Sequence, residues 1–342
     1  MDETPHPPTN VCISCKSFQV EPSYKVALCS DCRNKLKQLR APLWVKLFAA
    51  FVVLLSITGL VLAPKKMGRA LHLEKAEEAE QERRYVTAAH EYEKVVADNP
   101  HSVDYIVHLF HAYYMQADYS KAIPLINSFT GQRTQDMYLG DLANHDLDQL
   151  NLLMGDSLIN VIAGENLTDS LKLQQYLAVL STQPDNIAAL YMVSNTLYDM
   201  KRFNEADTYA KHGLEKDENN LPLLGLQAAI KREEGEYDSA NSLYDRMLEL
   251  NAEATAAYTG KARVELKQHN DQKASEYIEI ARKIEPGNIL VYEADILFLY
   301  LTGKTTDANQ VLARMKNTFI NESDQAVIER VEKVVSGEVK YR

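Results

Sequence analysis

Glycine, tryptophan and cysteine are scarce in this sequence. Its 342 residues contain 13 glycines, one tryptophan and four cysteines, and all four cysteines lie within the first 32 residues. The sequence also lacks a glycine-rich phosphate loop, a Gly-x-Ser-x-Gly nucleophile motif and a His-Glu-x-x-His metalloprotease motif. The missing motifs argue against an enzyme, and the scarcity of glycine agrees with a mainly helical chain.

Basic residues are too few to balance the acidic ones, and the two kinds are unevenly distributed. The chain has 37 Lys and Arg against 48 Asp and Glu, a formal net charge of −11. Residues 1–66 carry nine basic and four acidic side chains, so the remainder carries −16. Because affinity for nucleic acid comes mainly from neutralised phosphates, we expect the acidic part to bind proteins rather than nucleic acid.

A 34-residue period runs four times through 187–322 without insertion or deletion. Small residues recur at one position, and mostly bulkier apolar residues follow four positions later. The small residues are Ala206, Ala240, Ala274 and Ala308, and the residues that follow are Ala210, Tyr244, Ile278 and Leu312. A small residue lets two helices approach closely, and the next turn fills the remaining gap. This pattern resembles the tetratricopeptide (TPR) repeat. The resemblance implies an all-α solenoid of antiparallel helix pairs.

The same register appears before and after this block. Ala88 and Ala122 predict two further repeats over 69–136. The phase then slips by 16 residues, and 137–186 is interpreted as an inserted segment followed by a degenerate repeat, in which Lys172 stands at the small-residue position. Residues 323–342 are expected to form a helix that caps the last repeat.

The four cysteines form two Cys-x-x-Cys pairs, Cys12 with Cys15 and Cys29 with Cys32. Two such pairs can place four thiolates around one ion, the closed arrangement of structural zinc. Residues 12–40, which end in a short basic helix, resemble a zinc ribbon or treble-clef finger, although Lys16 and Arg33 stand where many ribbons have glycine. Two disulfides, a redox dithiol pair and an iron–sulfur ligand set remain alternatives. Residues 1–11 are expected to lack fixed structure.

An apolar run over 43–63 predicts one transmembrane helix. Residues 47–63 carry no charge, and the run is long enough to cross a hydrocarbon core of about 30 Å. A signal peptide is disfavoured because the finger precedes the run, and a buried helix of a soluble protein is the remaining alternative. A reduced four-cysteine site suits the cytoplasm, so the finger is expected there and the repeats outside it, with the reverse topology left open.

The concave face of a TPR solenoid is formed by the exposed side of each first helix, and the resemblance implies that partners bind there. The candidate partner-binding residues on this face are Val107, His111, Tyr114, Tyr191, Asn195, Tyr198, Arg232, Arg263 and Tyr300. Asn195 matches one position of the clamp that binds chaperone carboxylates, but Tyr191 replaces the expected lysine, so that clamp is not predicted. An aromatic groove of this kind fits an extended peptide or a helix of another protein.

Together these features predict a membrane-anchored scaffold. It would have a structural zinc finger on one side of the bilayer and a protein-binding array on the other, and no small-molecule substrate. One alternative is a membrane-tethered finger that binds nucleic acid or regulates, with the repeats as its sensor. Another is a thiol redox carrier, whose cysteines would cycle between dithiol and disulfide.

Overall fold

The structure is a computed structural model. It describes 11–20, 26–37, 42–132, 134, 136–154, 157–164 and 167–342, with the side chains of 58–67, 154, 157, 158, 160, 322 and 323 also outside the description. The expected unstructured segment 1–11 therefore lies almost entirely outside the described residues, as do 38–40 of the finger. The chain divides into two compact units, Met1–Met67 and Gly68–Arg342.

The described residues form helices only, with no strand among them. In chain order the helices are α1 (Ser30–Lys37), α2 (Leu43–Gln81), α3 (Tyr85–Asp98), α4 (Val103–Tyr114), α5 (Tyr119–Phe129), α6 (Met137–Met154), α7 (Ser157–Gly164), α8 (Asp169–Thr182), α9 (Ile187–Asp199), α10 (Phe203–Lys216), α11 (Leu221–Glu234), α12 (Tyr237–Leu250), α13 (Thr255–Lys267), α14 (Asp271–Ile284), α15 (Ile289–Leu301), α16 (Thr305–Thr318) and α17 (Glu322–Val335). The predicted all-α solenoid of TPR-like helix pairs is confirmed.

Six of the helix pairs are joined by a tight turn that contains one residue in the left-handed conformation. These residues are Arg83, Ala117, Lys201, Gly235, His269 and Gly303, with φ between 57° and 83°. Arg83 and Ala117 lie 34 residues apart, and so do successive residues from Lys201 to Gly303. The same turn conformation therefore recurs with the repeat. Only two of the six are glycine, and each of the others costs about 1–2 kcal/mol of backbone strain. The packing of the helix pairs therefore sets the turn geometry.

The small residues of the period lie where the helices approach most closely. Ala206, Ala240, Ala274 and Ala308 are all fully buried. A larger side chain at any of these positions would separate the two helices of its pair. Asparagine side chains begin several inner helices: Asn186, Asn220 and Asn288 each accept a hydrogen bond from a backbone N–H in the first turn of the helix that follows. Ala254 stands at the equivalent position before α13 and provides no such cap.

The expected transmembrane segment 43–63 lies within α2. Among the residues whose side chains the structure describes, no helix combines the length and the apolar character needed to cross a membrane. Residues 58–63 of the expected span fall outside that set.

Candidate metal centre and partner-binding groove

The four cysteines converge on one point of the finger. Their Sγ atoms all lie within 4.8 Å of one another, and Sγ of Cys15 is 3.5 Å from Sγ of Cys29. Cys12 and Cys29 are buried and pack with Leu28, whereas Cys15 is exposed. Thiolates at about 2.3 Å from a tetrahedral ion would be about 3.8 Å apart. The cluster therefore has the dimensions to hold a metal ion.

Two different local structures present the cysteine pairs. Lys16 follows the first pair at a φ of 60°, and its N–H donates to the carbonyl of Cys12 at 2.8 Å, closing a tight loop. Lysine thus occupies the left-handed position that glycine fills more easily. The second pair lies at the beginning of α1, where Arg33 is helical and its N–H bonds the carbonyl of Cys29 at 3.0 Å. No glycine is required there, which explains its absence.

The thiols differ in how readily they ionise. Backbone N–H groups, that of Cys15 first, lower the pKa of Cys12 to about 6. The backbone of Ser17 lowers the pKa of Cys15, but hydrogen bonds with the neighbouring thiols outweigh it and raise the pKa to about 12. Only the thiolate is a strong metal ligand. The hydrogen bonds that Cys12 accepts from the backbone therefore favour its thiolate form.

The inner face of the array contains a groove of about 390 Å³. Successive inner helices supply its walls, and the outer helix α12, the first two repeats and α17 close its sides. The residues that define it here are Tyr191, Asn195 and Tyr198 of α9, Gly225, Ala229 and Arg232 of α11, Thr259, Gly260 and Arg263 of α13, Tyr244 and Met247 of α12, Val86, Gln116 and Ala117 of the first two repeats, and Arg330 of α17. We call this cavity the central groove. Its mixture of aromatic, small and polar side chains suits an extended segment of another protein.

Ion pairs between neighbouring repeats stiffen the groove wall. The guanidinium of Arg232 donates to the hydroxyls of Tyr198 at 3.2 Å and Tyr244 at 3.0 Å, and to the carboxylate of Glu233 at 3.0 Å. Nζ of Lys267 reaches the same carboxylate at 3.0 Å. Tyr198 and Arg232 are one period apart, as are Glu233 and Lys267. The repeat therefore places equivalent positions side by side, where they pair.

A second ion-pair cluster lies toward the end of the array. Glu293, 1% exposed, accepts from Arg263 at 3.1 Å and from Arg330 at 2.9 Å. Burial raises the pKa of Glu293, but the two arginines outweigh it and lower the pKa. The carboxylate thus links α15 to α13 and α17.

The pKa of Glu233 is well below the ordinary value for a glutamate. Burial raises its pKa, but the positive charges of Arg232, Arg263 and Lys267 outweigh burial and lower the pKa to about 2. The folded array therefore holds this carboxylate ionised in mildly acidic solution.

Acid is expected to weaken the array through Glu233. Its pKa is lower in the folded chain than the ordinary value of 4.5, so its stabilisation is complete above pH 4.5 and is lost as the pH falls toward 2. We expect the wild type to lose about 2 kcal/mol more than Glu233→Gln between pH 7 and pH 3, as measured by urea unfolding. Glu276→Gln removes an exposed carboxylate and should keep the wild-type pH dependence. Identical pH dependence in Glu233→Gln would contradict this assignment.

The first two repeats fold back and close one side of the central groove. The carbonyl of Arg83 accepts a hydrogen bond from the N–H of Ala252 at 2.9 Å. The N–H and hydroxyl of Thr87 donate to the carboxylate of Glu253 at 2.7 and 2.6 Å. Asn251 donates to the carbonyl of Met115 at 3.0 Å. These contacts join residues that are 136 to 169 positions apart, from Met115 with Asn251 to Arg83 with Ala252, and they close this side of the groove.

A second, smaller cavity of about 290 Å³ lies beside the inserted helix α6. His111 and Asp146 line it and form a buried pair, with Nδ1 of His111 2.6 Å from the carboxylate. Tyr114 lines the same cavity and lies 6.2 Å from Tyr119 between ring centroids. Helix α6 therefore joins the second repeat to the rest of the array through a polar contact.

The predicted partner-binding residues separate into three groups. Tyr191, Asn195, Tyr198, Arg232 and Arg263 line the central groove, and His111 and Tyr114 line the second cavity. Val107 is fully buried in the core of the first repeats, so its assignment to the binding face is corrected. Tyr300 is partly buried and packs against the apolar cluster that contains Leu297 and Val334.

Arg232 also differs from expectation. Only 2% of its surface is exposed, because its side chain folds between Tyr198 and Tyr244. It therefore supports the groove wall and offers little surface to a ligand. Sequence reasoning missed Tyr244, Met247 and Arg330 in the groove, since these come from an outer helix and from the last helix. One feature of the sequence does mark the closed side of the groove. Ala254 stands where three other inner helices have a capping asparagine, and it directly follows the residues 251–253 that contact the first two repeats.

Two glycines of the groove provide a matched test of its packing. A Cβ on Gly260 would come within 2.3 Å of the Tyr244 ring, whereas one on Gly225 would meet Met247 at 3.4 Å. We expect Gly260→Ala to destabilise the array by about 1–3 kcal/mol through overpacking. Gly225→Ala should stabilise it by up to about 1 kcal/mol through helix propensity. Urea unfolding of the two variants measures the difference, and similar values for both would contradict the packing described.

Neither a comparison with protein-family models nor one with curated proteins finds a match to this sequence. Among solved structures, the chain is similar to a TPR protein from Parabacteroides merdae, with 14% identity, coverage of 79% of this chain and 99% of that one, and a TM-score of 0.43. A TPR protein from Thermus thermophilus gives 14% identity, 55% and 99% coverage, and a TM-score of 0.43. YrrB, a TPR protein with an unusual peptide-binding site, gives 16% identity, 61% and 99% coverage, and a TM-score of 0.34. These likenesses concern the fold alone.

Proposed function

We propose that this chain is a membrane-anchored scaffold whose central groove binds segments of partner proteins. The 390 Å³ groove supports this function, because Tyr191 and Tyr198 line it together with the small residues Gly225 and Ala229. Small lining residues let a bound segment approach the helices, and tyrosines supply contact area with few rotatable bonds. Its function is binding rather than catalysis.

Binding in the central groove can be tested by filling the groove with a large side chain. Ala229 lines the groove, whereas Ala178 is exposed on the outer helix α8 and lines neither described cavity. Peptides selected from a random library against the full chain in nanodiscs should bind the wild type and Ala178→Trp equally. Ala229→Trp should weaken them by at least about tenfold, a loss of about 1.4 kcal/mol. Selected peptides that bind all three proteins alike would place recognition elsewhere.

The membrane anchor is supported by the exposure of the first half of α2. Most of the large apolar side chains over 43–57, among them Leu47, Phe48, Phe51 and Val53, are more than half exposed. They occupy every side of the helix, and a helix that is apolar all round is suited to a hydrocarbon environment. We propose that 43–63 crosses the bilayer, with the finger in the cytoplasm and the array outside it.

Membrane insertion and topology are measured together. The full chain should stay with the membrane fraction after alkaline carbonate extraction. A tag placed after Arg342 should be removed by protease added to intact cells or spheroplasts. A chain released by carbonate would overturn the anchor, and a tag protected until lysis would reverse the topology. In the reversed case the cysteines would face an oxidising compartment.

The metal proposed for the cysteine cluster is structural zinc. Four thiolates within 4.8 Å satisfy a tetrahedral ion and leave no position for water or substrate. Cys12, Cys15, Cys29 and Cys32 would all be ligands, and the bound ion would hold together a module whose core consists of a few residues around Leu28. The finger therefore contributes a stable fold instead of a reaction.

A further inference from the structure

The residues after the last helix fold back onto the array. Helix α17 ends at Val335, and Gly337 then adopts a φ of 79°, a left-handed conformation that favours glycine. The N–H of Val339 donates to the carbonyl of Lys333 at 2.8 Å and fixes the reversal. We call residues 337–342 the return segment.

Tyr341 lies against two cations of α13. Its hydroxyl accepts a hydrogen bond from Nε of Arg263 at 3.3 Å, and Nζ of Lys267 lies 4.7 Å from the centroid of its ring. A cation over an aromatic face is attracted by the electrons of the ring. The ring also packs against an apolar cluster that includes Leu266 and Leu297. A hydroxylated aromatic side chain thus satisfies the polar and the apolar parts of this site together.

Arg342 lies among hydrogen-bond acceptors that favour a cation. Its guanidinium donates to the carbonyls of Leu266 at 3.2 Å and Leu301 at 3.0 Å, and to the carboxylate of Asp271 at 2.7 Å. The two carbonyls belong to the last turns of α13 and α15, where the helix dipole carries its negative end. The Arg342 guanidinium is planar and has several N–H donors, so it can bond the ends of two helices and a carboxylate at once.

The return segment and the central groove share one contact residue, Arg263. Arg263, which holds the Tyr341 hydroxyl, also lines that groove. Tyr341 and Arg342 contact the array through their side chains, and both remain partly exposed. A segment held in this way can be replaced by another that carries the same two side chains.

We propose that the return segment is an internal ligand at this end of the groove, and that partners binding there carry an aromatic residue followed by arginine. The proposal rests on the proposed function of the groove and names the class of partner for one part of it. Because the return segment is tethered, its effective concentration at the site is in the millimolar range. A partner therefore has to bind more tightly than the tethered segment in order to displace it.

The test uses a fluorescent peptide of residues 336–342 and three full-length proteins in detergent. In one protein Tyr341→Ala and Arg342→Ala are combined to release the return segment. Another carries Lys340→Ala, which removes an exposed side chain of the return segment next to Tyr341. We expect the double variant to bind the peptide at least about tenfold more tightly than the wild type or Lys340→Ala. A peptide with alanine in place of its tyrosine should not bind.

Two results would overturn the proposal. A double variant that keeps the wild-type circular dichroism but does not bind the peptide up to about 1 mM would show that the segment is not a ligand. Equal binding to all three proteins would show that the peptide binds elsewhere. Neither result changes the test of the groove itself, because that test uses Ala229→Trp and library-selected peptides.

Discussion

Cys12→Ser is expected to abolish zinc binding by the full chain. Cys12 is fully buried, its Sγ lies within 4.8 Å of the other three, and backbone hydrogen bonds lower its pKa to about 6, so its thiolate form is favoured. Structural zinc contributes about 10–16 kcal/mol of apparent binding energy at pH 7. Even outer-shell partners change metal affinity by about 10–100-fold, so loss of a direct ligand should cost more than about 100-fold. Metal analysis after equilibration with a chelator measures the change.

Ser17→Ala is the control, because it alters the same loop without removing a thiol and should keep one zinc per chain. Wild-type protein without zinc, with a mass lower by four hydrogens, would favour two disulfides over the metal. Reversible conversion between dithiol and disulfide would favour the redox carrier. Each alternative to zinc therefore has a distinct signature in the same sample.

Arg232→Ala is expected to destabilise the array by about 3–5 kcal/mol. The substitution removes three hydrogen-bonded contacts from a side chain that is 2% exposed, and it opens a cavity at the groove wall. It also leaves the hydroxyls of Tyr198 and Tyr244 without this donor, and an unsatisfied buried group costs about 1–3 kcal/mol. Urea unfolding followed by circular dichroism measures the loss.

Arg202→Ala provides the contrast. Arg202 pairs with Glu205 on the surface, and both side chains are well exposed, so its removal should have no measurable effect. Arg232→Lys should give an intermediate loss, because lysine keeps the charge but not the planar fork that reaches both tyrosines. A loss below about 1 kcal/mol in Arg232→Ala would mean that the network does not support the groove.

The fold was predictable because one sequence period specifies it repeatedly. Ala206, Ala240, Ala274 and Ala308 identify the close contact of each helix pair, and all four are fully buried. The inner-helix positions follow from the same register, and Tyr191, Asn195 and Tyr198 of α9 line the groove. A repeat makes local pattern and global architecture agree.

The remaining features of the groove depend on contacts that no local pattern encodes. Thr87 and Glu253 meet across 166 residues, so the closing of the groove depends on the accumulated curvature of the whole array. Arg232 was expected on the binding face, but Tyr244 of an outer helix captures its guanidinium. Helix α6 lies outside the period, and its Asp146 pairs with His111 through tertiary packing alone. The period predicts which repeats are neighbours, and the contacts of Thr87 with Glu253 and of Asp146 with His111 join residues that are not neighbours in it.

In the finger, too, the sequence predicts which residues meet but not the backbone conformation around them. The Cys-x-x-Cys pairs predict that four thiols converge, and they do so within 4.8 Å. The missing glycines suggested a departure from known fingers. Lys16 nevertheless adopts the left-handed conformation, and Arg33 lies within a helix. The spacing pattern thus predicted the cysteine cluster, whereas the backbone conformation around it depends on contacts that the pattern does not contain.

If partner proteins bind in the groove of the membrane-anchored chain as proposed, site-specific photo-crosslinking in native cells should capture them there. A benzophenone amino acid is placed at Ala229 in the groove or at Ala178 on the outer face. We expect a discrete crosslinked protein at Ala229 that is absent at Ala178 and is lost when Arg232→Ala disrupts the groove wall. The same crosslinks at both positions, or crosslinks at Ala178 alone, would contradict it.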